Sequence, residues 1–228
     1  METNIFNGLY KRIWSMRVTD FPPAALSGLL HGYLSIYSMV QVNPWLEEEY
    51  NTLGEIYDRI REIGRVLSNL VKDPSIHVEE RVGYVADLMD CYLVYSDMKY
   101  VNTALDAAYE ILSLENNGKE KEACRTPEMC RMLCSCYYFT NEKECARLAG
   151  ELVKEWKSER RMIPVEIEWR WVRALEFYNN TMGYEKFSNL QILPFWENIP
   201  EIISEDSSLL TLYFDILSAE VYEKMRSR

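Results

Sequence analysis

Apolar residues recur at intervals of three and four along most of this chain, and no stretch alternates apolar with polar residues in the manner of a strand. The clearest run, Leu46, Tyr50, Leu53, Ile56, Ile60 and Ile63, predicts one long helix over residues 44–71. Asn43 supplies an N-cap, Pro44 suits the first helical position, and Glu47, Glu48 and Glu49 fall in the first turn, where the helix dipole favours negative charge. Lys72-Asp73-Pro74 stops it. The same reading predicts helices over 24–40, 78–96, 99–114, 127–140, 142–157, 164–181 and 207–225, with a short piece at 184–191. Their starts are punctuated by Thr126-Pro127, by Asn141 with Glu144 three residues on as a capping box, by Ile163-Pro164, and by Ser207 or Ser208. A polar, charge-mixed loop is expected at 115–125.

Helical hairpins joined by short loops bury their apolar faces most readily by stacking, which leaves a period in the sequence. Leu88, Cys91, Tyr92 and Tyr95 are followed by Val101, Ala104, Ala108 and Ile111. The same spacing gives Cys130, Leu133, Cys134 and Tyr137, then Lys143, Ala146, Gly150 and Val153. A third copy reads Trp171, Ala174, Leu175 and Tyr178, then Tyr184 and Phe187. The pattern resembles the tetratricopeptide repeat over 82–193, with Tyr92, Cys134 and Leu175 at the family's usual glycine position. The resemblance implies an all-α fold, antiparallel helix hairpins stacked as a right-handed α-α superhelix. One domain over 1–228 is expected, with flanking helices over 1–77, repeats over 78–194 and a capping helix over 195–228.

The same resemblance implies a concave binding face built from the first helix of each hairpin. Matched position by position, its residues are Ala86, Met89, Leu93 and Ser96, then Glu128, Arg131, Ser135 and Tyr138, then Trp169, Val172, Glu176 and Asn179. Apolar anchors beside Arg131 and Asn179 as directional donors suit a peptide groove. The Lys and Asn array of the family's chaperone-tail clamp is missing from these positions. The expected function is accordingly a non-catalytic protein- or peptide-binding scaffold, with self-association into a homodimer through the flanking helices as a further expectation.

Composition narrows the partner. Lys plus Arg number 25 against 36 Asp plus Glu, a formal net charge of -11 that repels phosphate backbones and anionic lipid, so no nucleic acid and no membrane partner is expected. Residues 21–46 carry no charged side chain after Lys11, Arg12 and Arg17, yet Pro22, Pro23, Ser27, His31, Ser35 and Ser38 interrupt them, and a buried amphipathic helix is expected rather than a span. The first residues hold no apolar run of secretory type, so a cytoplasmic location with reduced thiols is expected.

Chemistry-bearing motifs are sparse. Cys91, Cys124, Cys130, Cys134, Cys136 and Cys145 contain no C-x-x-C, and Cys91, Cys130 and Cys134 fall on repeat core positions, so they are read as packing side chains with no metal or cofactor. His31 lies on an apolar helix and is read as a buried, hydrogen-bonded residue, and His77 as a loop residue. Phosphate-loop, dinucleotide, nucleophile-elbow and zinc-protease motifs are absent. Two alternatives remain: a small all-helical enzyme using Glu166, Glu168 and Glu176 on the 164–181 helix in a glycosidase-like manner, and a regulatory subunit whose groove senses a small ligand.

Overall fold

The computed structural model describes residues 2–116, 125–158, 165–183 and 206–226. These residues form an all-α protein. Its helices are α1 (Glu2–Ser15), α2 (Leu26–Val42), α3 (Leu53–Leu70), α4 (Val78–Asp90), the single turn α5 (Tyr92–Tyr95), α6 (Met98–Asn116), α7 (Pro127–Thr140), α8 (Lys143–Ser158), α9 (Val165–Met182) and α10 (Ser207–Arg226). Among the described residues no helix is long and apolar enough to cross a membrane. The helix expected at 184–191, Tyr184, Phe187, Cys124 and most of the 115–125 loop lie outside the described residues.

The chain divides into two compact units, the first made of Met1–Val66 with Leu193–Arg228 and the second of Leu67–Ile192. In the first unit the uncharged helix α2 buries Leu26, Leu29, Leu30, Tyr33, Ile36 and Met39, and its main partner is α10. The approach is close because two α2 positions carry no side chain. A Cβ on Gly28 would stand 2.6 Å from the Thr211 carbonyl oxygen, and one on Gly32 would overlap the Phe214 ring. Phe214 in turn packs edge-on against Tyr33 at 5.2 Å, and Tyr10 against Tyr50 at 5.3 Å, in the aromatic core of this unit.

The long helix expected over 44–71 is interrupted. Pro44–Glu48 is a short 3-10 turn, and α3 begins only at Leu53. The cause is a capping box: the Thr52 hydroxyl accepts the Glu55 amide at 3.3 Å, while Glu55 Oε2 accepts the Thr52 amide at 2.9 Å. Glu47 adds a second cap by accepting the Leu53 amide at 2.9 Å. Asn43 turns its side chain back to the Met39 carbonyl at 3.0 Å, closing α2 rather than opening the next helix.

In the second unit α4 packs on α6 and α7, and α7 on α8 and α9. Thr126 caps α7 as expected, accepting the Met129 amide at 3.1 Å. Asn141 does not form the expected capping box with Glu144. It ends α7 in the left-handed conformation at φ 58°, its amide bonded to the Tyr137 carbonyl at 2.7 Å, a place Asn tolerates better than other side chains. Ser96 ends α5 in the same conformation at φ 51°. Ala104, Ala108, Val101 and Ile111 are fully buried on α6, as their spacing implies. On α8 the buried stripe is Cys145, Ala149 and Val153, one residue before the expected Ala146 and Gly150, which are only half-buried.

Candidate functional site

The residues expected to line the groove separate into an interior set and an exposed set. Met89, Arg131, Ser135 and Trp169 are buried, and Val172 and Asn179 half-buried, whereas Leu93, Ser96, Tyr138 and Glu176 face solvent. The groove as expected is therefore not an open surface, because its central residues are committed to the interior.

Arg131 shows why. Its Nη2 donates to Asp87 Oδ1 at 2.8 Å and also to Asp90, all three side chains being buried. Burial alone would loosen the guanidinium proton, but Asp90 and Asp87 outweigh it and hold the group more firmly charged than a free arginine. The cluster ties α4 to α7, so the side chain read as a donor toward a partner is consumed inside the fold. Asp87 and Asp90 were missed, although two carboxylates three residues apart within the apolar run of α4 signal a buried cationic partner. Trp169 is likewise engaged, with the Arg173 guanidinium 5.2 Å from its ring centroid. Further pairs link neighbouring helices: Arg81 to Glu110 at 2.6 Å, and Arg170 to Glu128 at 3.2 Å.

The cysteines pack as core residues. Cys91, Cys130, Cys134, Cys136 and Cys145 are buried and free of disulfide. The hydrogen bond that Cys134 gives to Cys130, together with burial, pushes the Cys134 thiol far above its ordinary pKa, and burial beside Asp90 and Asp87 does the same for Cys91, which favours the neutral thiol at both. His31 is buried and His77 exposed just ahead of α4. Glu176 is exposed, and the side chains of Glu166 and Glu168 lie outside the described set.

The exposed set has its own geometry. Leu93 and Tyr138 present 67% and 66% of their surfaces to solvent, unusual for such large apolar groups. Each stands three residues before a left-handed turn residue, Ser96 and Asn141 respectively, so the two hairpins display a large side chain at the same place. The helix ends that carry them adjoin, since Tyr92 meets the Phe139 ring edge-on at 5.2 Å and Phe139 meets Tyr138 at 5.1 Å, and this rim is termed the ledge. Met98, at the start of α6, is also 46% exposed. Such a ledge can hold an apolar or aromatic side chain of another protein. Comparison with protein-family models, with curated proteins and with solved structures finds no match to this chain.

Proposed function

We propose that the chain is a non-catalytic, cytoplasmic protein- or peptide-binding scaffold built from tetratricopeptide-like helical hairpins, and that its contact surface is the Leu93–Tyr138 ledge rather than the buried groove face. The observation that carries this reading is the pair of exposed large apolar residues at matching places on two successive hairpins, whose ends adjoin through the Tyr92–Phe139 ring contact. About two-thirds exposed, Leu93 gains roughly 1–2 kcal/mol when covered and Tyr138 gains by the same effect, enough to contribute to the centre of an interface. The packing of α4 with α6, of α7 with α8, and of α4, α7 and α9 in succession supports the hairpin-repeat reading. Buried, disulfide-free cysteines support a reducing compartment.

Leu93→Asp with Tyr138→Asp tests the assignment. The double variant should keep the helical content and melting behaviour of the parent, because both side chains are exposed, and should lose the proteins that cross-link to the wild-type chain in its native extract. Glu166→Gln, Glu168→Gln and Glu176→Gln together should leave that set intact. An unchanged set with the ledge variant, or its loss with the glutamine variant, overturns the reading.

A further inference from the structure

The first unit contains two adjoining clefts that share Lys11, Glu48 and Glu49. One, of about 330 Å³, is lined by Tyr10, Trp14, Tyr50 and the carboxylates of Glu47 and Glu55 among others. The other, of about 510 Å³, has Trp45, Leu46 and Asn7 as its remaining walls. Trp45 is 68% exposed, and Val42, three residues before it, equally so, whereas indole rings are normally among the most covered side chains. Around the first cleft four carboxylates face one ammonium.

Three of these carboxylates are held in place. Glu47 caps the Leu53 amide, Glu49 accepts from Asn7 Nδ2 at 2.7 Å, and Glu55 is locked in the capping box with Thr52. Each retains unused lone pairs, since a carboxylate accepts about four hydrogen bonds. Glu48, on both clefts, accepts none from the described residues. A fixed acidic rim costs little ordering entropy when a cation docks, so charge complementarity selects a basic occupant.

The same unit shows how an indole takes a guanidinium. Arg59 stacks 5.0 Å from the Trp14 centroid while its Nη2 donates to the Trp14 carbonyl at 2.8 Å. Trp45 presents the same ring with Glu48 and Glu49 beside it, and no arginine of the described residues covers it. A planar guanidinium can lie on the indole face and pair with a carboxylate at once, which a lysine ammonium cannot do as well.

We propose that the second cleft, with the acidic rim of the first beside it, docks an arginine-bearing segment of a protein partner, with an arginine stacked on Trp45 and paired to Glu48. The assignment stands independently of the ledge, because it uses other residues and another chemistry. The probe is a fluorescein-labelled (Arg-Gly)4 peptide, with (Lys-Gly)4 and (Glu-Gly)4 as comparisons, followed by anisotropy with the full chain at 50 mM salt. The arginine peptide should bind, at least threefold more tightly than the lysine peptide, with no binding of the glutamate peptide. Trp45→Ala and Glu48→Lys should each weaken it at least tenfold, whereas Asp106→Lys, the same charge change at an exposed position on α6, should change it less than twofold. Equal losses from Glu48→Lys and Asp106→Lys, no effect of Trp45→Ala, equal binding of the arginine and lysine peptides, or no binding of the arginine peptide would each overturn the proposal. All three side chains are exposed, so circular dichroism matching the parent secures the comparison.

Discussion

Adding one methyl group to Gly28 should separate two helices. A Cβ there would sit 2.6 Å from the Thr211 oxygen, 2.7 Å from its carbonyl carbon and 3.0 Å from the Leu212 nitrogen. Ordinary carbon–oxygen contacts lie near ~3.4 Å, so α2 and α10 must part by roughly 0.8 Å. Since the obstacle is backbone, no rotamer change relieves it. A gap of that size forfeits about a quarter to a half of the dispersion attraction between facing atoms, here Leu29, Leu30, Ile36, Leu210, Phe214 and Leu217. Overpacking of this kind costs about 2–3 kcal/mol, against a gain of about 1 kcal/mol because alanine is the better helix former. The net expectation for Gly28→Ala is a loss of about 1–2 kcal/mol. A methyl on Gly8, in α1, would meet nothing within 4 Å, so Gly8→Ala should instead gain about 0.5–1 kcal/mol. Urea unfolding by circular dichroism, with hydrogen exchange over α2 amides, reads both variants. The same sign for the two substitutions, or unchanged exchange over α2 in Gly28→Ala, would refute the reasoning.

Arg131→Met leaves Asp87 and Asp90 buried without their guanidinium and should cost about 3–5 kcal/mol, while Arg131→Met with Asp87→Asn and Asp90→Asn should recover a large part, measured by the same unfolding curves. Thr52→Ala removes the capping hydroxyl at the start of α3 and should cost about 0.5–2 kcal/mol, with faster exchange confined to the first turn of that helix. Burial, with Glu49 nearby, pushes the Tyr50 hydroxyl up to about 12 from its ordinary 10. The unfolded chain therefore releases this proton first, and the stability it supports is complete below pH 10 and declines as pH rises from 10 toward 12. Tyr50→Phe should show a shallower decline over that window, and an identical pH profile would count against the burial of this hydroxyl.

Most helix positions were legible where the start carries a local chemical cue, as Thr126-Pro127 does for α7, whereas α1 has no such cue and is not among the expected helices. The break ahead of α3 was overlooked although Thr52-Leu53-Gly54-Glu55 spells a capping box, since apolar spacing carried smoothly across it and masked the local hydrogen-bond competition. Asn141 misled for a related reason: one side chain serves both as an N-cap and as a left-handed terminator, and only the backbone angle decides. Spacing also cannot tell a face that lines a groove from one that lines a core. Arg131 and Ser135 looked like a polar surface, and only the placement of Asp87 and Asp90 opposite Arg131 shows where its charge is spent. The ledge and the Trp45 cleft join residues of several elements, or of a turn misread as helix, and such convergence has no one-dimensional signature.

The order of segments in the first unit bears on how the chain is made. The uncharged helix α2 finds its main cover in α10, which is synthesised about 165 residues later. At roughly 5–20 residues per second, a ribosome delivers that cover on the order of ten to thirty seconds after α2 has emerged. Throughout that interval the Leu26, Leu29, Leu30 and Ile36 face has no native partner in α10, and most of the interval is the synthesis of the second unit, which is complete before α10 begins. The closeness that Gly28 and Gly32 permit therefore waits on the arrival of α10, the last helix of the described chain to be synthesised.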